Sequence, residues 1–237
     1  MDVYHYIIQK RRVFRENTIV FIIVIVIFCF HFISCKCIEG NCKDGKGTLI
    51  LYNGNKYTGE FKNYRFNGSG TLILKAGKWK GGKYIGEWDR NKLNGYGTFF
   101  YADGSKYEGQ FKNNKLHGTG KYTYANGDNY VGEWKNNKCD GKGTFIFAAG
   151  EYKGSKYVGD WKNSKFNGTG TFFYFDGKNY TGQWKNNMKH GTGTLLLTGG
   201  SKYEGEWKKN RFHGYGTFIY SYGKVIKGKW RKNRFIR

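Results

Sequence analysis

The 237-residue sequence contains no proline, five cysteines and only 17 acidic residues against 41 lysines and arginines. The lack of proline, together with abundant lysine, asparagine and tyrosine, is typical of a low-GC coding bias, which raises the lysine count without a functional cause. After residue 40 the sequence also lacks a sustained 3.6-residue hydrophobic period, and 37 glycines interrupt the chain. Helices are therefore excluded from that region, because glycine disfavours the helix interior.

A pattern repeats along the chain after residue 40. A G-x-G pair recurs with a step such as that from Gly95 to Gly118, 23 positions, and two of the steps are four residues longer. The first glycines of the eight pairs are Gly45, Gly68, Gly95, Gly118, Gly141, Gly168, Gly191 and Gly214. A fixed period of this length is typical of a repeat architecture, in which each unit packs against its neighbours.

Each unit is predicted to form two strands and two turns. After Gly95, the first strand spans Thr98 to Tyr101, a turn follows at Asp103-Gly104, and the second strand begins at Lys106. Alternation places two aromatics and a glycine of the second strand on one face, where stacked hairpins would form an aromatic ladder. We predict this ladder as a candidate binding surface; its residues are Tyr107, Phe111, Tyr130, Trp134, Tyr157, Trp161, Tyr180 and Trp184. The first strand is apolar on both sides, so we expect it to be covered or strongly curved.

The pattern Y-x-G-E-W followed by G-x-G resembles the MORN repeat family over residues 45–232. The resemblance implies an all-β fold, an elongated single-layer antiparallel sheet of stacked β-hairpins that acts as a binding or scaffolding module. The sequence departs from the family in the turn after the second strand, where Asn114 and its equivalents replace the usual glycine. Asparagine tolerates the left-handed conformation, so we expect the turn to form.

Residues that could carry chemistry fall into repeat slots. His117, His190 and His213 each precede a G-x-G in a predicted turn, and neighbouring copies lie ~10 Å apart, too far to share a metal. Cys139 fills a slot that holds phenylalanine or leucine elsewhere, which favours a small buried hydrophobe. A row of acids, replaced by Gln110, Gln183 and Lys229 in three copies, is interpreted as cross-strand partners of lysine. We therefore expect no catalytic residue, no metal site and no cofactor.

Residues 1–35 are not part of the repeats. Four basic residues within Lys10–Arg15 precede an apolar run, Ile19–Phe30, which fits a signal sequence and is short for a membrane span. The run is followed by F-I-S-C at Phe32–Cys35, which resembles a bacterial lipobox. The resemblance implies cleavage before Cys35 and lipidation of Cys35, as in bacterial MORN-repeat lipoproteins. An uncleaved single-pass anchor and an ordinary signal peptide are the alternatives.

Residues 36–44 link this segment to the repeats at 45–237. Cys37 and Cys42 flank a glycine there, which in an exported chain favours a small disulfide loop. The two longer units each carry extra residues at one hairpin turn, with Trp79 and Tyr152 in equivalent places. Each of these aromatics either packs on the neighbouring hairpin or protrudes as a contact for a partner.

The formal net charge of +24 is distributed along the repeats. One basic row follows the last aromatic of the second strand, at Lys62, Lys112, Lys135, Lys162, Lys185, Lys208 and Arg231. A second row follows the asparagine turn, at Arg65, Lys92, Lys115, Lys138, Lys165, Arg211 and Arg234. Such rows either attract an anionic surface, with a strength that falls with salt, or only keep the chain soluble.

Together these features predict a non-catalytic binding or scaffold protein that is exported and membrane-attached, with a lipid anchor or a single span. Its expected partners are a membrane and either a protein or an anionic surface. A regulatory or targeting subunit of an enzyme complex is the alternative. Nucleic-acid binding through basic rows and aromatics is not expected, because the export signal leads away from DNA and RNA.

Overall fold

The computed structural model describes residues 35–236, and these residues form an all-β fold. The strands are β1 (Lys36–Gly40), β2 (Gly45–Ile50), β3 (Lys56–Lys62), β4 (Arg65–Ile73), β5 (Lys83–Asp89), β6 (Lys92–Phe100), β7 (Lys106–Lys112), β8 (Lys115–Thr123), β9 (Asn129–Lys135), β10 (Lys138–Ile146), β11 (Lys156–Trp161), β12 (Phe166–Phe173), β13 (Asn179–Lys185), β14 (Met188–Leu196), β15 (Lys202–Lys208), β16 (Arg211–Ile219), β17 (Val225–Arg231) and β18 (Arg234–Ile236). Within this range no helix has the length and apolarity needed to cross a bilayer. The predicted signal or anchor segment lies outside the described residues, except for Cys35.

The chain divides into two compact units. Among the described residues, the N-terminal unit comprises 35–125 and Glu133–Asn137, and the C-terminal unit comprises Asn126–Gly132 and 138–236. In the N-terminal unit, β1 to β8 pair antiparallel in chain order. In the C-terminal unit, β10 to β18 do the same. The predicted all-β class of open, antiparallel hairpins is confirmed, while the predicted elongated shape stays a prediction.

Each hairpin closes on a two-residue turn with two left-handed residues. Asn113 and Asn114 have φ of 49° and 66° and join β7 to β8, where Lys112 pairs with Lys115. Two positive φ values match the twist of the flanking strands, which is why this turn type is favoured in tight hairpins. The expected turn therefore forms with asparagine in place of glycine.

The strand after each asparagine turn is longer than the sequence predicted, and it contains a bulge. Gly109 pairs with Gly120 and Phe111 pairs with Leu116, so Gln110 faces three residues of β8. Gly118 lies in that bulge with φ of 59°. The histidine and asparagine slot before G-x-G thus belongs to a bulge and not to a turn, because the strand already begins at Lys115.

The core lies on one face of the hairpins. Along β6, Phe99 is fully buried, whereas Phe100 is 39% exposed, and the next inward residue, Tyr101, is 8% exposed. Of the two expectations for this strand, coverage on both sides is therefore wrong, and strong curvature stays a prediction. Its inward side chains pack on the aromatic ladder, and its outward ones face solvent.

Candidate binding surfaces

The aromatic ladder is packed interior. Its eight predicted residues have exposures of 0–7%; they are Tyr107, Phe111, Tyr130, Trp134, Tyr157, Trp161, Tyr180 and Trp184. In the C-terminal unit the ring of Tyr157 lies 5.5 Å from those of Trp161 and Trp184, edge to face in both cases. The binding role predicted for the ladder is therefore corrected, since buried side chains that fill the core offer no accessible surface.

Paired glycines make room for each ladder tyrosine. The hydroxyl of Tyr157 donates to the carbonyl of Asp160 at 3.0 Å. A Cβ on Gly170, across the strand pair, would lie 2.3 Å from that hydroxyl and 2.6 Å from the ring. The same hydroxyl bond recurs at Tyr57, Tyr84, Tyr107, Tyr180 and Tyr203. Gly159, on the strand of Tyr157 itself, faces Gly170: a Cβ there would lie 2.5 Å from the Cα of Gly170 and 2.7 Å from the Tyr157 hydroxyl.

Burial raises the pKa of five tyrosines at the ladder's tyrosine positions. For Tyr203 the pKa rises to about 12, because burial and the charge of Glu206 both oppose ionisation. Burial also raises the pKa of Tyr57, Tyr84, Tyr157 and Tyr180. These groups are held neutral and hydrogen-bonded, as interior tyrosines usually are.

The second ladder position favours tryptophan because its ring nitrogen has a backbone partner. The indole N–H of Trp184 donates to the carbonyl of Gly170 at 3.0 Å. Trp88, Trp134, Trp161, Trp207 and Trp230 make the corresponding bond. Each bond ties a strand to the G-x-G of the strand before it, which phenylalanine at Phe61 or Phe111 cannot do.

The asparagine of each turn also binds the preceding hairpin. The Oδ1 atom of Asn187 accepts from the N–H of Phe166 at 2.7 Å, and its own N–H donates to the carbonyl of Phe166 at 3.0 Å. Asn91, Asn114, Asn137, Asn210 and Asn233 do the same, and Ser164 uses its hydroxyl. Sequence reasoning predicted only the conformation of this residue and missed its side-chain bond.

Side chains of the acid row accept hydrogen bonds from backbone N–H groups of the bulges. Glu87 accepts from the N–H of Tyr96 at 3.2 Å, and Gln110 accepts from the N–H of Thr119 at 2.9 Å. A carboxylate and an amide oxygen serve equally, which explains why acids and glutamine alternate in this slot. The predicted lysine pairing is found at Asp160, which contacts Lys142 at 2.5 Å. Burial acts to raise the pKa of Asp160, but hydrogen bonds from Lys142 and Thr169 outweigh it and lower that pKa.

The other candidate residues named from the sequence pack against neighbouring side chains. Cys139 is a free thiol, 1% exposed, and burial raises its pKa well above the usual value, which agrees with a small buried hydrophobe. The ring of Tyr152 packs against Phe147 and Phe172, and Trp79 packs against the neighbouring hairpin. Of the two alternatives for these aromatics, the structure supports packing. Among residues 35–236, no cluster of histidine, cysteine and acidic side chains could hold a metal.

The linker cysteines are oxidised in the structure. Cys37 and Cys42 form a disulfide with an S–S distance of 2.12 Å. Cys35 is also disulfide-bonded. Its lipidation stays a prediction, and the two states exclude each other because a thioether to lipid would use the same sulfur.

Opposite the ladder lies an open face, which in β11 and β12 consists of Lys156, Val158, Asp160, Thr171 and Phe173. In the C-terminal unit this face contains a shallow groove of about 690 Å³ lined by threonines and by Gln183, Glu204, Tyr215 and Lys227. Tyr215 is 69% exposed. A smaller groove of about 420 Å³ lies in the N-terminal unit, beside Glu60 and Ile85. Unlike the ladder, the open face varies from hairpin to hairpin.

The asparagine-turn ends of several hairpins carry exposed basic side chains. In the C-terminal unit Lys208 lies directly opposite Arg211 on the neighbouring strand, and Arg231 lies opposite Arg234. All four side chains are exposed. We use "basic edge" for these four together with Lys162, Lys165 and Lys185. In the N-terminal unit Lys62 faces Arg65 and Lys112 faces Lys115 in the same way. Like charges directly opposite destabilise a sheet, so this edge costs stability in the free protein.

These features define a β-hairpin repeat protein whose constant residues build the fold. A family model described as the MORN repeat matches seven segments, 57–79, 84–106, 107–129, 130–152, 157–178, 180–202 and 203–223. The chain therefore belongs to the MORN-repeat family, which supports a binding or scaffold role. The predicted eight-unit division over 45–237, and the likeness to bacterial lipoproteins, stay predictions.

The other comparisons are remote. No curated protein matches the sequence. Among solved structures, the TCP domain of SAS-4 from Drosophila melanogaster, determined with a proline-rich motif, is 11% identical, with 83% of this chain and 90% of that chain covered and a TM-score of 0.38. The wild-type TCP10 domain of CPAP from Danio rerio is 11% identical, with 78% and 90% covered and a TM-score of 0.44. Likenesses this weak carry no argument about function.

Proposed function

We propose that this chain is a non-catalytic, membrane-tethered scaffold whose basic edge binds an anionic surface. The observation that carries the proposal is the direct opposition of like charges, Lys208 with Arg211 and Arg231 with Arg234, at exposed hairpin ends. An anionic partner reduces the repulsion between these basic side chains, and this reduction favours the bound state.

The polar residues other than the basic side chains support a non-catalytic role. Acids and glutamines of the acid row accept bulge N–H groups, as Glu206 does from Tyr215 at 2.8 Å. Asparagines of the turns bind the preceding hairpin. Side chains that might have served chemistry are thus used to hold the fold.

The basic edge is distinguished from the lysines of the open face by its surroundings. On the open face Lys106 contacts Glu108 at 2.9 Å, and Lys202 contacts Glu204 at 3.4 Å. An anionic surface therefore meets mixed charges on the open face and concentrated positive charge at the edge. Each basic side chain close to an anionic membrane contributes about 1 kcal/mol to binding.

The test uses full-length protein in neutral detergent and vesicles of phosphatidylcholine with or without phosphatidylserine. The double variant Lys208→Gln/Arg211→Gln removes one opposed pair, and Lys202→Gln/Lys227→Gln removes the same charge from the open face. We expect the edge variant to bind phosphatidylserine vesicles on the order of tenfold more weakly than the open-face control. Equal losses in the two variants would contradict the proposal, as would binding that high salt leaves unchanged.

The membrane tether is a separate part of the proposal and rests on the sequence of residues 1–35. Labelled fatty acid should enter the wild-type chain and fail to enter Cys35→Ser if the anchor is lipid. Membrane attachment without label would identify the single span instead. Recovery of the unlabelled chain in the soluble fraction would refute the tether, whatever the basic edge binds.

A further inference from the structure

One hairpin breaks the repeat pattern at Lys189, in β14. The corresponding slot holds an apolar residue in the other units: Phe66, Leu93, Leu116, Cys139, Phe166 and Phe212. Sequence alone gives no reason for a lysine here. The structure places its ammonium nitrogen against three aromatic rings.

The position equivalent to Lys189 has the same aromatic neighbours in several hairpins. It lies between the tyrosine of its own hairpin and the tryptophan of the next. Phe166 occupies it by stacking on Tyr157 at 3.7 Å and by meeting Trp184 edge to face at 5.4 Å. In β14 the equivalent walls are Tyr180 and Trp207, and a third ring, Tyr174, lies beside them. An apolar ring or chain normally fills this space.

The Nζ atom of Lys189 lies 5.1 Å from the ring centroid of Tyr180, 5.1 Å from that of Trp207 and 5.3 Å from that of Tyr174. Each distance falls within the ~6 Å over which a ring face attracts a cation. Several aromatic faces around one ammonium group form the arrangement that recognises methylated ammonium ligands.

The three rings around the Lys189 ammonium group, and the backbone from which the lysine side chain starts, are held in place by other contacts. Tyr180 donates its hydroxyl to Gln183 at 3.0 Å, and Trp207 donates its indole N–H to Gly193 at 2.9 Å. Tyr174 packs on Phe172 at 4.5 Å. The backbone N–H of Lys189 donates to Asn210 at 2.8 Å, which fixes where the lysine side chain starts. None of these contacts uses the Lys189 ammonium group, so the positions of the three rings do not depend on it.

We propose that Tyr174, Tyr180 and Trp207 form an aromatic cage for an ammonium group, and that Lys189 occupies this site from within the same chain. The site takes alkylammonium cations of the size of a lysine or choline head. A ligand of this class has to displace Lys189, so the native chain keeps its own cation site closed.

The direct test removes the resident cation. Lys189→Ala leaves the three rings and opens the cage, whereas Lys189→Leu refills it as Leu93 and Leu116 fill their slots. The probes are choline and its neutral isostere 3,3-dimethyl-1-butanol, and the readout is the upfield shift of the probe's methyl protons as aromatic rings enclose them.

For Lys189→Ala we expect choline to bind on the order of tenfold more tightly than the neutral alcohol, and for Lys189→Leu we expect neither to bind. Equal or tighter binding of the alcohol would show a merely apolar cavity and overturn the proposal. Absence of binding by folded Lys189→Ala would overturn it too.

A second measurement needs no variant that might fail to fold. In the wild-type protein the ε-methylene protons of Lys189 should resonate upfield of those of all other lysines, because the adjoining Nζ atom lies over three ring faces. Resonance among the signals of exposed lysines such as Lys185 would place the ammonium outside the cage and overturn the inference.

Discussion

The ladder face and the open face of the hairpins follow opposite rules. On the ladder face the same tyrosine, glycine and tryptophan recur, as in Tyr157, Gly159 and Trp161, and each has a defined contact. On the open face the same strands carry Lys156 and Val158 in one hairpin but Lys202 and Glu204 in another. The residues that recur on the ladder face are needed to hold one hairpin on the next, and the open face carries no such constraint.

Alkaline pH should unfold the protein by ionising the buried tyrosines of the ladder face. Folding raises the pKa of Tyr57, Tyr84, Tyr157, Tyr180 and Tyr203 above the unfolded value near 10. A group whose pKa is raised by folding stabilises the fold below its unfolded pKa and loses that contribution as pH rises through the raised pKa. We expect cooperative unfolding above about pH 10, with tyrosinate absorbance rising together with the loss of the sheet. Ladder ionisation in an intact sheet would contradict the buried placement.

Truncating one ladder residue should have the largest effect of any single substitution. Trp134 is 2% exposed and Lys135, its neighbour in β9, is exposed. Trp134→Ala should cost ~3–5 kcal/mol of unfolding free energy, and Lys135→Ala should cost under about 0.5 kcal/mol. Thermal and denaturant unfolding measure both; equal shifts would mean that the two faces are inverted.

Adding a methyl group beneath a ladder tyrosine should destabilise the ladder face by overpacking it. Gly170→Ala brings a Cβ to within 2.3 Å of the Tyr157 hydroxyl. Overpacking of this kind costs about 1–3 kcal/mol. Thr171→Ala, on the open face of the same strand, is the control and should cost about 0.5 kcal/mol. If both variants melt alike, the glycine is not required by the ring.

A substitution at Asn187 can measure what the hydrogen bond between two hairpins contributes to stability. Its φ of 68° suits glycine, so Asn187→Gly removes the acceptor for the Phe166 N–H without straining the turn. The expected loss is about 1–2 kcal/mol, because a buried N–H is left without its partner. Asn186→Gly, in the same turn with an exposed side chain, is the matched control. Amide exchange at Phe166 should rise only in the Asn187 variant.

The smallest effect is expected in the acid row. Glu87→Gln should leave stability within about 0.5 kcal/mol, because Gln110 performs the same task in the next hairpin. Glu87→Ala removes the acceptor for the Tyr96 N–H and should cost about 1 kcal/mol. A large loss in the glutamine variant, measured by urea unfolding, would show that the charge matters and that the bulge role is wrong.

The sequence predicted the hairpins, their period and the inward placement of Tyr157 and Trp161, because strand alternation and glycine positions are local properties. It missed the bond of Asn187 to Phe166, which depends on how one hairpin lies on the next. It also missed the bulge beside Gln110, which depends on the register of two strands within one hairpin. It also assigned binding to the ladder, because a row of aromatics looks the same in sequence whether it is exposed or buried. Lys189 was unexplained for the same reason: its three rings come from β13, β15 and the turn before β13.

If the basic edge binds an anionic surface, the hairpin ends should contact that surface and the open face should not. Lysine acetylation of the full-length protein, reconstituted with phosphatidylcholine alone or with added phosphatidylserine, measures this side chain by side chain. We expect phosphatidylserine to slow the acetylation of Lys162, Lys185 and Lys208 and to leave that of Lys156, Lys202 and Lys227 unchanged. Protection of the open-face lysines with no change at the basic edge would contradict it.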